Sequence, residues 1–254
     1  MITLKSKDWE IDNINTVLLD KDGTFIDLHY FWGQMTELRA KEVIKKYSLD
    51  KNLFPQICLT LGYDPQTGKM LKDGITAMYS RPIIIEIFCK YLNSIGAKAT
   101  EQDIEQIFDS VSDSFYKNME KYTKPIDDAI DFIESLKKYN IKTGIVTSDS
   151  KESALLTIKH FGWENLFDVV IGRESTTETK ESGVPVKMAL EILNSTPETS
   201  IMIGDAPMDY IAAKNAGVER TILVASGQIP KNDLLKTSKY SLESLSELVI
   251  ETAR

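Results

Sequence analysis

A chain of 254 residues with 42% hydrophobic and 27% charged side chains can bury a real core and has an ordinary globular composition. Its formal net charge of −8 argues against an extended nucleic-acid surface, which needs clustered Lys and Arg, yet leaves room for one small cationic pocket. The first residues hold no apolar core of signal-peptide length and no run approaches a membrane span, so the expectation is a cytoplasmic protein with no membrane partner.

In chain order, Val17-Leu18-Leu19 is a short apolar run that suits a strand buried on both faces of a parallel sheet. It stops at Asp20-Lys-Asp22-Gly-Thr24, where Gly23 can bend the chain and leave both acids at the carboxyl edge of the sheet, the edge at which open α/β folds bind ligands. Two carboxylates so close need a cation, a shared proton or good solvation. From Leu28 to Tyr122 the patterns are helical. Apolar stripes run through Met35, Leu38, Val43, Ile44 and Tyr47, through Ile83, Ile84, Ile87, Phe88, Tyr91 and Leu92, and through Ile104, Ile107, Phe108, Val111 and Phe115. Thr100 is placed to cap the third, with Asp103 three residues on. The stretch Gly62–Gly74, rich in Gly and polar residues, reads as a turn-rich loop.

After Pro125 helix and strand alternate. Helices are expected at Ile126–Tyr139, Lys151–Phe161, Pro185–Leu193 and Met208–Ala216, and strands at Ile141–Thr147, Phe167–Ile171, Ser200–Gly204 and Arg220–Ala225. Alternation of this kind implies right-handed crossovers and a mostly parallel sheet. The 127 residues from position 20 to position 147 far exceed an ordinary crossover, whereas the 33 from 147 to 180 do not. The surplus therefore forms an insert just beyond the first acidic motif. The expected organisation is an α/β core, a Rossmann-like doubly wound parallel sheet built from residues 1–27 and 123–254, with an α-helical cap over 28–122.

Four predicted strand ends deliver polar groups in turn: Asp20 and Asp22, then Thr147 and Ser148, then Lys180, then Asp205 and Asp209. Their order, with Asp-x-Asp-x-Thr after a hydrophobic strand and Gly204-Asp205-Ala-Pro-Met-Asp209 near the end, resembles the haloacid dehalogenase-like hydrolase superfamily. The Asp-Gly-Thr-x-x-Asp continuation and the stretch Gly62-Tyr-Asp-Pro-x-Thr-Gly68 resemble its phosphoglycolate phosphatase-like members with a helical cap. The third motif departs from the family's Lys-Pro pattern. Lys180 keeps the family spacing and Lys187 is the alternative.

That resemblance implies a Mg²⁺-dependent phosphatase acting on a small phosphorylated metabolite, phosphoglycolate-like or a sugar phosphate. Asp20 would be the nucleophile that becomes an aspartyl-phosphate, and Asp22 the general acid and base. Thr147, Ser148 and Lys180 would bind the phosphoryl oxygens. The metal ligands would be Asp20, the backbone carbonyl of Asp22, Asp205 and Asp209. Arg81 is a candidate cap cation for a second anionic group of the substrate. A β-phosphoglucomutase-like phosphotransferase is the alternative activity, and a non-catalytic phospho-receiver a more distant one. A monomer or homodimer is expected. Cys58 and Cys89 lack any metal-like or phosphatase-loop spacing and read as free thiols in the packing. His29 and His160 are too few for a histidine-based transfer.

Overall fold

The structure, a computed structural model, describes residues 1–252. The run Thr16–Leu19 is a strand with every residue buried, at the centre of a six-stranded sheet. In spatial order the strands are Ser241–Leu242, Thr221–Val224, Ser200–Gly204, Thr16–Leu19, Lys142–Val146 and Val169–Ile171. All five pairings are parallel. From Thr16–Leu19 the chain steps outward through Lys142–Val146 to Val169–Ile171, then returns to the other side of the central strand with Ser200–Gly204. The winding therefore reverses between Thr16–Leu19 and Ser200–Gly204, and open α/β sheets form a crevice beyond the strand ends at such a reversal. Leu19 is level with Ile203 on one side and Ile145 on the other, so the residues that follow all three strands emerge at one edge.

The apolar face of the sheet explains why the neighbouring helices dock. Leu18, Val146, Ile171 and Met202 form one buried cluster with Leu190 of helix Val184–Ile192 and Ala212 and Ala213 of helix Pro207–Asn215. Each large aliphatic side chain fully withdrawn from water there contributes about 1.5–3 kcal/mol. The small alanines let the second helix lie close to the strands. Helices Asp127–Lys138 and Lys151–Phe161 complete the alternation.

The chain divides into two compact units, Met1–Asp27 with the chain from Pro125 onward, and Leu28–Lys124. In the first, the outgoing and returning segments lie side by side: the Ile126 amide donates to the Phe25 carbonyl at 2.9 Å, and Ile26 and Pro125 form an antiparallel bridge. This unit also carries a second, antiparallel sheet of Ile2–Lys5 between Glu10–Ile14 and Val249–Thr252.

The second unit is helical, with Leu28–Tyr47 packed against Glu101–Lys117. Phe31 meets Phe115 edge-on at 4.9 Å, and the buried Arg39 guanidinium lies 4.0 Å from the centre of the Phe108 ring. The expected third stripe is the buried face of Glu101–Lys117, and the Thr100 hydroxyl accepts the Asp103 amide at 3.1 Å. The second stripe is rotated from its expected line. In helix Arg81–Ser94 the packed residues include Ile84, Ile85, Phe88, Cys89 and Leu92, while Ile83 is 42% exposed. The cause is the following turn: the Asn93 side-chain amide donates to the Ala99 carbonyl at 2.9 Å and its oxygen accepts the Ala99 amide at 2.7 Å. The Cys89 thiol donates to the same Ala99 carbonyl at 3.4 Å, so the returning chain lies on the Cys89 side of the helix. Within Gly62–Gly74, expected as a loop, Tyr63–Asp64 and Lys69–Met70 form a short antiparallel ladder. Two-residue strands are too short to leave an alternating pattern. Among the described residues no helix is long and apolar enough to cross a membrane.

Candidate active site

The site is assembled by strand ends of the first unit. Asp20 follows the central strand, and its amide donates to the Ile203 carbonyl at 2.8 Å, tying it to the neighbouring strand at the point of winding reversal. Asp205 follows that neighbouring strand, Ser200–Gly204, and Asp209 lies one turn into helix Pro207–Asn215 with a side-chain oxygen accepting the Ala206 amide at 3.1 Å. The carboxylates of Asp20, Asp205 and Asp209 each place an oxygen within 4.8 Å of the others, and all three residues are buried. Lys180 reaches in from a 3₁₀ turn, Lys180–Ser182. Its Nζ lies 2.6 Å from Asp20 Oδ1 and 2.6 Å from Asp209 Oδ1.

Asp205 is fitted closely into this edge. A Cβ on Gly23, which has φ +84°, would fall 2.4 Å from Asp205 Oδ2, and one on Gly227 would fall 1.8 Å from it. Gly23 is needed for both its left-handed backbone and its missing side chain.

Asp22 takes a different partner. After Leu19 the chain turns, with the amides of Phe25 and Ile26 both donating to the Lys21 carbonyl at 3.1 Å. The turn brings the side chains of Lys21 and Asp22 together. Lys21 is fully buried, with Nζ 2.5 Å from Asp22 Oδ1 and 3.1 Å from Asp149 Oδ2.

Electrostatically the site holds more negative charge than its lysines neutralise. Burial, with Asp20 and Asp209 alongside, pushes the Asp205 carboxyl well above the usual range. Burial also lifts Asp209 to about 6 despite the pull of Lys180. Asp22 rises to about 6 because burial and the nearby Asp149 outweigh Lys21. A carboxyl with a pKa of about 6 is protonated in about one molecule in ten at pH 7, against about one in a thousand for an ordinary Asp. Burial pulls the two lysines down, but their acidic partners overcome it and hold both above the usual value. Lys21 holds Asp149 below the usual range against the effect of burial.

The remaining candidates fall in several places. Thr147 is buried one residue beyond strand Lys142–Val146, and its hydroxyl accepts the Asp149 amide at 3.1 Å. Ser148 is exposed, its hydroxyl 3.5 Å from the Met208 sulfur. Lys187 is exposed, in contrast to Lys180. Arg81 belongs to the second unit, where its guanidinium pairs with Asp109. The sequence reading missed Lys21 and Asp149. A lysine between two acids reads as a solvated neighbour, and only Asp149, following the polar strand end Thr147-Ser148, carried a signal.

The donor set suits a hard divalent cation. Three carboxylates converge with one lysine between them, Asp205 sits in a cradle that a single extra methyl would fill, and burial pushes Asp205 and Asp209 toward protonation.

A parallel α/β sheet with an acidic centre at its winding reversal is the class of fold and site this chain presents. Residues 72–224 match the family model described as Haloacid dehalogenase-like hydrolase. A protein of Caldanaerobacter subterraneus subsp. tengcongensis, named "Putative pyrophosphatase PpaX", is 30% identical over 238 residues, 93% of each chain. The protein named pyrophosphatase PpaX in Halalkalibacterium halodurans is 25% identical over 83% of each. A crystal structure described as a predicted phosphoglycolate phosphatase from Haemophilus somnus superposes with a TM-score of 0.71 at 15% identity, over 93% of this chain and 97% of that one, a likeness of fold. The chain belongs to the haloacid dehalogenase-like hydrolase family, as one of its phosphatases.

Proposed function

We propose that this phosphatase is Mg²⁺-dependent and hydrolyses a small phosphorylated metabolite through a phosphoryl group carried on Asp20. The observation that supports it most is Lys180 bridging Asp20 and Asp209, with Asp205 beside them, at the reversal of the sheet. Asp20, Asp205, Asp209 and the Asp22 carbonyl are the ligands proposed for the ion. Bound there, it would mask the carboxylate charge that repels an incoming phosphate and polarise the phosphoryl oxygens.

The chain's own groups supply the rest. A carboxylate oxygen of Asp20 attacks phosphorus, and the bond from phosphorus to the leaving oxygen breaks as Asp22 passes its proton to that oxygen. A water then gives a proton to Asp22 and its oxygen attacks phosphorus, releasing inorganic phosphate and restoring Asp20. Lys180 and the Thr147 hydroxyl steady the phosphoryl oxygens while charge builds on them, and Ser148 lines the same edge. Arg81 serves a second anionic group of the substrate only if that group displaces Asp109 from it.

Inorganic pyrophosphate heads the list of substrates because relatives that align over 93% and 83% of this chain are named pyrophosphatases. Phosphoglycolate and sugar phosphates follow. The acidic overall charge supports small molecules, not nucleic acid or anionic membranes, as partners. On this reading the protein works in the cytoplasm as a monomer or homodimer. The test is phosphate release from a panel of these compounds with Mg²⁺, with EDTA, and with Asp20→Asn. The expected result is turnover of at least one compound that EDTA and the substitution both abolish. Turnover that survives Asp20→Asn would overturn the assignment, and transfer of the phosphoryl group to a second metabolite in place of water would reassign the activity to a phosphotransferase.

A further inference from the structure

Lys21 is the middle residue of Asp20-Lys-Asp22, and its partner Asp149 lies two residues beyond Thr147; no role has yet fallen to either. On an extended strand, residue 21 would point away from residues 20 and 22. Here the chain has already turned, and Lys21 is carried into the interior with no exposed surface. Its Nζ is 2.5 Å from Asp22 Oδ1 and 3.1 Å from Asp149 Oδ2. Asp149 is in turn fixed on three sides: Oδ1 accepts the Ser150 amide at 2.7 Å, its own amide donates to the Thr147 hydroxyl at 3.1 Å, and its carbonyl accepts the Arg173 amide at 2.8 Å.

The site therefore contains two lysines with separate clients. Lys180 serves Asp20 and Asp209, and Lys21 serves Asp22 and Asp149. A buried lysine is costly to desolvate, and an aliphatic residue at position 21 would avoid that cost. What the lysine adds is orientation. With Oδ1 of Asp22 held on the ammonium, the second oxygen is the one left to meet a leaving group, and the carboxylate is kept from joining the three acids that converge near Lys180.

We infer that Lys21, anchored by Asp149, is the positioning residue for Asp22, holding that carboxylate apart from the acidic centre and aimed at the leaving oxygen. The inference rests on the reading of Asp22 as general acid. A positioning role affects proton delivery, so its loss shows most on leaving groups that need a proton. An alkyl phosphate leaves as a strongly basic alkoxide, whereas 4-nitrophenyl phosphate releases a phenolate stable without protonation. Positioned general acids contribute about 10²–10⁴ in rate.

The experiment compares kcat on these two substrates for wild type, Asp22→Asn, Lys21→Met and Asp149→Asn, all with saturating Mg²⁺. Asp22→Asn is expected to lose at least about tenfold more on the alkyl phosphate than on the nitrophenyl ester. Lys21→Met should reproduce that bias with KM little changed, and Asp149→Asn should show it in weaker form. If Asp22→Asn shows no bias, the general-acid reading falls and the inference with it. If Asp22→Asn shows the bias but Lys21→Met loses equally on both esters, or loses nothing, the general acid stands and the positioning role is overturned. Should Lys21→Met fail to fold, the isosteric Asp149→Asn decides: a biased loss supports the inference and an unbiased one rejects it.

Discussion

Replacing Lys180 by Met removes a cation that bridges Asp20 and Asp209 while keeping the volume of the aliphatic stem. Lys180 is 6% exposed and makes both contacts at 2.6 Å, so the change leaves buried carboxylates without their partner. Breaking a buried pair from one side costs about 3–5 kcal/mol. For a chain of this size each kcal/mol lowers Tm by about 2–4 °C, which gives a fall of about 6–20 °C. The matching change at exposed Lys187 should stay within about 0.5 kcal/mol. The measurement is thermal unfolding of Lys180→Met, Lys187→Met and wild type in EDTA at pH 7, repeated at pH 5. Burial lifts the Asp205 and Asp209 carboxyls above the usual range, so at pH 5 they take up protons and the Lys180 deficit should shrink. Saturating Mg²⁺ should recover part of it at pH 7, because a divalent cation replaces some of the lost charge. Equal behaviour of the two variants, or a Lys180 deficit that grows at pH 5, would refute the account.

In the metal-free wild type, Asp209 holds its proton to about 6 in the folded state against an ordinary value near ~3.9 unfolded, so the native state binds more protons in that window. Stability should therefore fall by up to about 3 kcal/mol as pH rises from about 4 through 6 and then level off, and added Mg²⁺ should flatten the dependence, as read from Tm between pH 4.5 and 8 with EDTA or Mg²⁺. Gly227→Ala puts a methyl where the Asp205 carboxylate lies, and it is expected to weaken Mg²⁺-induced stabilisation at least tenfold in half-saturating concentration; unchanged Mg²⁺ titration would contradict the cradle. Thr100→Ala removes the cap of helix Glu101–Lys117 and should cost about 1 kcal/mol in thermal unfolding without touching activity, while a change in kcat would show that this helix end matters to the chemistry.

Much of the architecture was legible because its signals are local. Val17–Leu19 and Ser200–Gly204 are short apolar runs that end in acids, and each became a sheet strand with its acid at the edge. Helix Lys151–Phe161 has the expected bounds, opened by Ser150 and closed by Gly162. What sequence could not supply was pairing between distant segments. The sheet joining Ile2–Lys5 to Val249–Thr252 depends on partners from opposite ends of the described chain; Ile2–Lys5 alternates but is only four residues long, and Val249–Thr252 does not alternate. The buried face of helix Arg81–Ser94 goes with the hydrogen bonds from Asn93, in its last turn, to Ala99 beyond its end, and no periodicity within the helix encodes that partner. At the site the acids were visible as motif members. The burial of Lys21 was hidden, because it follows from a turn that reverses the expected direction of its side chain.

The place of the central strand also orders events during synthesis. Thr16–Leu19 is made early, yet its two neighbours in the sheet are Lys142–Val146 and Ser200–Gly204. The Leu28–Lys124 unit is contiguous and can complete its own packing on the ribosome, while the strand made before it stays without hydrogen-bonding partners. At about 5–20 residues per second, about 6–25 s separate the emergence of Leu19 from that of Val146, the end of its first sheet partner. Over that interval Val17, Leu18 and Leu19 form an unpaired apolar segment, the kind of exposure that recruits chaperones. Slowing translation within the insert should lengthen that wait and lower the yield of soluble protein.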